Sequence, residues 1–104
     1  MDIKKRNKQL KRIAHHLDPI IQLGDKGLTE GVINETSRAL ADHELIKVRL
    51  SDPDRESRVA TGDALTAAVE ATLVQRIGKV IVLFKENPDA NPKLSNLHRL
   101  GSGY

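Results

Sequence analysis

The chain has 104 residues, of which 29 are Leu, Ile, Val or Phe, enough for one domain with a packed core and above the level where disorder becomes the default. No apolar run approaches the ~18 residues of a membrane span, and no apolar stretch follows the charged N-terminus as a secretory signal requires. There is no cysteine, which excludes a disulfide framework, a thiolate metal site and a cysteine nucleophile, and a cytoplasmic address is expected.

The net charge of +3 is unevenly spread. Residues 1–26 carry seven cations against three acids, and the rest of the chain ten against eleven. Such an excess suits a surface that meets a polyanion, and equally a solvated helix face.

In chain order, Ile3, Leu10, Ile13, Ala14 and Leu17 fall on one stripe of an amphipathic helix between Asp2 and Leu17. His15 and His16 close it and Pro19 stops it. Ile20 to Leu23 predict a short buried strand running into the turn Gly24-Asp25-Lys26-Gly27. Thr29 is placed to N-cap a second helix, whose inner face is Val32, Ile33, Thr36, Ala39 and Leu40. Leu45 to Leu50 alternates as a strand with one buried and one partly wet face.

Ser51-Asp52-Pro53-Asp54 opens a third helix, with the proline near its first position, that runs to about Ala71. Gly62 inside it costs roughly 1 kcal/mol relative to alanine. Leu73 to Ile77 and Val80 to Lys85 predict a hairpin turning at Gly78-Lys79, and the unbroken run Val80 to Phe84 suits burial on both faces. Residues 87–104 lose the pattern and are expected to form a mobile tail able to dock through Leu94, Leu97 and Leu100. The order predicts an α/β fold: a two-layer α-β-α-β-α-β-β domain over residues 1–86, with a mixed four-stranded sheet.

Gly24-x-x-Gly27, between a strand and a helix start, is the best candidate for chemistry. Its glycines let the backbone approach a ligand, the following helix directs amides at the same place, and Lys26 adds a cation. It is a seat for a backbone phosphate, as in the GXXG loop of KH modules, or an ordinary tight turn. It lacks the spacing of a nucleotide-hydrolysing loop and of a dinucleotide fingerprint. Phe84 and Tyr104 are the only Phe, Tyr or Trp residues, so a platform that stacks bases cannot be built and nucleic acid would be held by phosphates, amides and shape. Adjacent His15 and His16 point about 100° apart on a helix and cannot chelate one ion well, and Ser37 and Ser51 lack a nucleophile-elbow context.

Several segments resemble the bacterial YhbY family, stand-alone members of the CRM domain group (chloroplast RNA splicing and ribosome maturation). They are Ala14-His15-His16-Leu17-x-Pro19, Leu23-Gly24-x-x-Gly27-Leu28-Thr29-Glu30-Gly31-Val32 and His43-Glu44-Leu45-Ile46-Lys47-Val48. Asp54-Arg55-Glu56 and Ile77-Gly78-Lys79 complete the likeness, which spans about residues 3–86 in order, and Asn91-Pro92-Lys93-Leu94-Ser95-Asn96 is similar to the tail of some members. The resemblance implies a fold similar to the C-terminal domain of a bacterial translation initiation factor, RNA binding, and association with precursors of the large ribosomal subunit. It maps the family's loop onto Gly24, Asp25, Lys26 and Gly27, and its basic surface onto the first helix.

The expectation is a monomeric, non-enzymatic RNA-binding protein with no cofactor, metal, membrane or small-molecule partner. Lys4, Lys5, Lys8, Lys11 and Arg12 would neutralise phosphates beside the loop, with Lys47 and Arg49 as further candidates on the wetter strand face. Two other readings stay open: a protein-interaction module docking through the leucines of the tail, and a small hydrolase needing His15, His16, His43 and Glu44 to converge.

Overall fold

The computed structural model describes residues 3–97, and the side chains of 5–97. Its elements are α1 (Ile3–Ala14), β1 (Pro19–Gln22), α2 (Glu30–His43), β2 (Leu45–Arg49), α3 (Arg55–Ala68), β3 (Thr72–Ile77) and β4 (Val80–Phe84), in the order the sequence predicts. The sheet is mixed and runs β1-β2-β4-β3. β1 and β2 are parallel, joined by the α2 crossover, and β4 lies antiparallel to both β2 and β3. The last strand in sequence is thus central, and Ile81, Val82, Leu83 and Phe84 are all buried.

The expected two-layer arrangement is corrected in the number of layers. Ile46, Val48, Leu50, Ile81 and Leu83 pack with Leu40 of α2 and Leu65 of α3 on one face of the sheet. Leu45, Val82, Phe84 and Val74 pack with Leu10, Ile13 and Ala14 of α1 on the other. The cause is that β2 starts, and β4 continues, with apolar residues at both parities, so neither face of that half can stay wet. Helices therefore cover both faces.

Boundaries shift by local chemistry. α1 stops before Leu17 because its last turn tightens: the His16 amide donates to the Ile13 carbonyl at 3.1 Å and the Leu17 amide to that of Ala14 at 2.9 Å, just ahead of Pro19. Thr29 caps α2 as expected, its hydroxyl accepting from the Val32 amide at 3.2 Å. Pro53 lies outside α3, because Asp54 is the N-cap, its carboxylate accepting from the Ser57 amide at 2.9 Å. α3 ends at Ala68 and the chain turns through Glu70 at φ 55°, a left-handed position with no glycine to announce it.

Gly62 has a packing reason. A Cβ there would lie 3.1 Å from the Arg76 guanidinium and 3.6 Å from Ile81, so the missing side chain makes room for strand residues.

Residues 87–97 are held against the start of β2. Glu44, buried and at φ 60°, turns α2 directly into β2. Its carboxylate accepts from the Asn87 amide and the Ser95 hydroxyl, both at 2.8 Å, while Asn96 Nδ2 donates to the Leu45 carbonyl at 2.7 Å. Leu97 packs on the α1 cluster, Leu94 is 41 % exposed, and Leu100 lies outside the described residues. Polar contacts rather than a row of leucines make most of this attachment.

Candidate functional site

β1 delivers the Gly24–Gly27 loop to the end of the sheet where β2 finishes. The Leu23 amide donates to the Arg49 carbonyl at 2.9 Å, which extends the parallel pairing up to the loop. The turn closes through the Gly27 amide and the Gly24 carbonyl, also at 2.9 Å. Gly27 adopts φ +67°, a conformation glycine reaches without penalty, whereas Gly24 is not left-handed. Nothing lies within 4 Å of where a Cβ would sit at either glycine, so the backbone there is open to an approaching group.

Gly24, Asp25 and Lys26 are exposed and Gly27 is half-buried. The Asp25 carboxylate makes no hydrogen bond or ion pair with the described residues, so it does not cap the loop. Thr29 begins α2 two residues beyond Gly27, which puts the amide end of that helix beside the turn.

Sequence reasoning missed one member of this constellation. Ser51 Oγ donates to the Gly24 carbonyl at 2.9 Å and pins the loop to the segment that leaves β2. With the partners 27 positions apart in sequence, no local pattern signals it. The β3–β4 turn joins the same end, where the Leu50 amide donates to the Lys79 carbonyl at 2.7 Å.

Lys5, Lys8, Lys11 and Arg12 are exposed or half-exposed on α1, opposite the buried Leu10, Ile13 and Ala14. The Lys4 side chain lies outside the described residues. Arg6 turns inward: its guanidinium sits 4.8 Å over the Phe84 ring and 3.6 Å from Glu86, so it fastens α1 to the end of β4.

α1 packs toward Leu45 and Phe84, at the opposite end of β2 from the glycine loop. The helix cations and the loop are therefore not adjacent. Lys47, half-buried, and Arg49, exposed, follow Leu45 on the α1 side of β2 and occupy the stretch between them.

Of the histidine cluster, His16 and His43 line one pocket with Asp18, whereas Glu44 is turned to other partners. Glu44 is engaged by Asn87 and Ser95, and His43 Nδ1 lies 2.8 Å from the Leu94 carbonyl. Among the described residues no three His, Cys, Asp or Glu side chains are grouped to hold a metal, and no helix is long and apolar enough to cross a membrane.

At the entry to α3 a carboxylate is held by two hydroxyls. Ser57 Oγ and Thr61 Oγ1 donate to Asp52 at 2.5 and 2.9 Å, and these bonds hold its carboxyl below the ordinary carboxylate range.

Comparison with known proteins places this small α/β domain among RNA-binding relatives. Residues 3–85 match the CRS1 / YhbY (CRM) domain family, and the protein belongs to that family. A probable RNA-binding protein of Pseudomonas aeruginosa is 49% identical over 92 residues, 88% of each chain. An RNA-binding protein of Haemophilus influenzae is 42% identical over 90 residues, covering 86% of this chain and 91% of its own. The solution structure of a hypothetical Staphylococcus aureus protein, proposed to bind RNA, superposes with a TM-score of 0.74 at 32% identity, over 88% of this chain and 95% of that one.

Proposed function

We propose that this protein binds RNA through the sugar–phosphate backbone, without catalysing a reaction, and that its target is rRNA in precursors of the large ribosomal subunit. Residues 1–86 carry the RNA surface and the protein acts as a cytoplasmic monomer. The observation that carries the reading is the exposed glycine turn, open around both glycines, at the amide end of a helix in a chain whose relatives are named for binding RNA. The cations of α1 support it. Lys5, Lys8 and Lys11 recur every three residues and, with Arg12, line one side of the helix, a spacing suited to successive phosphates.

Two Phe, Tyr or Trp residues in the whole sequence are too few for a stacking platform of such rings, so binding is dominated by phosphate and falls steeply with salt. The test is sedimentation of cell lysate through sucrose at low magnesium, comparing wild type with Gly27→Asp and with Lys5→Glu/Lys8→Glu/Lys11→Glu. Wild type is expected to travel with large-subunit precursors and both variants to stay at the top of the gradient. Wild type remaining at the top would remove the ribosomal target. RNA binding itself is checked by titration with single-stranded RNA, where Lys8→Ala/Lys11→Ala should lower the salt slope by roughly 0.7 for every phosphate no longer neutralised.

A further inference from the structure

On the sheet face away from α1, the start of α3 and the β3–β4 hairpin enclose a groove. Arg55, Arg58 and Arg76 line it over a floor of Leu50, Val59 and Ile81, and among the described residues no acidic side chain lines it, although Arg76 is ion-paired with Asp63. Three guanidiniums over an apolar floor suit an oxyanion, to which arginine makes charge-assisted and often bidentate bonds.

Two separate features of the backbone aim Arg76 into this groove. Strict alternation from Leu73, which faces α2 and α3, would carry Arg76 to the α1 side. The irregularity between Leu73 and Gln75 inserts one residue, so Leu73 pairs with Leu83 and Arg76 with Ile81, both on the α3 side. Gly62 of α3 then leaves the space over which the guanidinium lies.

The nearby carboxylates have partners, although Asp52 Oδ1 is buried with no hydrogen bond among the described residues. Asp63 is ion-paired with Arg76, Asp52 takes bonds from Ser57 and Thr61, and Asp54 caps α3. Arg58 commits one nitrogen to the Asp52 and Pro53 carbonyls and keeps its other donors. Arg55 has no hydrogen bond or ion pair with the described residues.

The groove adjoins the glycine turn. Leu50 in its floor is the neighbour of Ser51, which bonds the Gly24 carbonyl. A GXXG loop of the KH kind clamps about four nucleotides, so a longer strand must leave it across one of the flanking surfaces. We propose that the Arg55–Arg58–Arg76 groove holds a backbone phosphate of an RNA strand continuing from the Gly24–Gly27 turn, on the face opposite α1. This rests on the RNA-binding reading above and adds a second exit path to it.

The experiment is fluorescence anisotropy of the full chain with labelled oligouridylates of about 4 and about 12 nucleotides between about 50 and 200 mM salt. The variants are Arg55→Ala, Arg55→Ala/Arg76→Gln and, as a control on the other face, Lys8→Ala/Lys11→Ala. Arg55→Ala removes an exposed side chain that bonds nothing else among the described residues, which keeps the test independent of folding. Expected for the arginine variants is weaker binding of the longer RNA, about five- to twentyfold for the double change, with a salt slope lower by roughly 0.7 per phosphate, while binding of the shorter RNA stays within about twofold.

The proposal is overturned if the arginine variants bind the longer RNA with wild-type affinity and slope while the lysine control weakens it, an outcome that leaves the RNA reading standing. It is also overturned if both lengths weaken equally, because the change then acts on the turn rather than on an extended path. Failure of wild type to bind either length removes the RNA reading and the groove together.

Discussion

The two ends of the sheet are built on different terms. Where β2 starts, the chain buries polar groups: Glu44, Ser95 and Asn96 are nearly inaccessible and bond one another or the backbone across 51 residues of sequence. Where β2 finishes, the Gly24–Gly27 turn is exposed, its glycines have open surroundings, and its contacts are backbone bonds and one serine hydroxyl. Burying a carboxylate is tolerable only if its lone pairs are filled, so the first end is rigid and intolerant of change. The second end leaves its surface available to a ligand. Stability and recognition are thus expected to separate along the strands.

The sharpest way to break that separation is Glu44→Ala. It strands the Asn87 amide and Ser95 hydroxyl, and the unfolding free energy should fall by about 1–3 kcal/mol, while RNA affinity stays within about twofold. Urea denaturation beside an RNA titration checks both, and a parallel loss of affinity would show that the two ends are coupled. A smaller effect on stability, joined to a clear loss of RNA binding, is expected at Gly27. With φ at +67° and free space for a side chain, Gly27→Val should cost roughly 1–2 kcal/mol through backbone strain alone, and Gly27→Asn less.

The smallest effect is a pH dependence at the entry to α3. The Ser57 and Thr61 bonds lower the folded-state pKa of Asp52, so its contribution is complete above the unfolded-state pKa and is lost as pH falls through that value toward the lower, folded one. The urea midpoint of wild type should therefore exceed that of Asp52→Asn near neutrality, with the gap closing in acid. A gap that widens in acid would reverse the assignment.

Much of the architecture is legible in the residues themselves. Spacing alone locates seven elements in order, Thr29 as a cap and the glycine turn between β1 and α2, because each rests on residues within a few positions of one another. The Gly24–Gly27 segment forms the turn that its residues predict. What escapes such reading depends on partners distant in sequence. Ser51 has no local reason to meet Gly24, and Glu44 none to meet Ser95. The second helix layer follows from apolar residues at both parities in β2 and β4, a pattern that the wetter positions Lys47 and Arg49 mask. The irregularity in β3 leaves no mark in the alternation, so the side of the sheet reached by Arg76 becomes visible only in the strand register.

The central position of β4 bears on how the protein comes into being. β1, α2 and β2 are translated first, but β2 has no antiparallel neighbour until residues 80–84 have emerged. α1 waits as long, since the sheet residues it rests on include Val74, Val82 and Phe84. A nascent chain therefore cannot complete the cluster on which its cationic first helix docks, or the β2–β4 ladder, until residues 80–84 have been made. Sheet pairing and helix docking then close late, around a single strand.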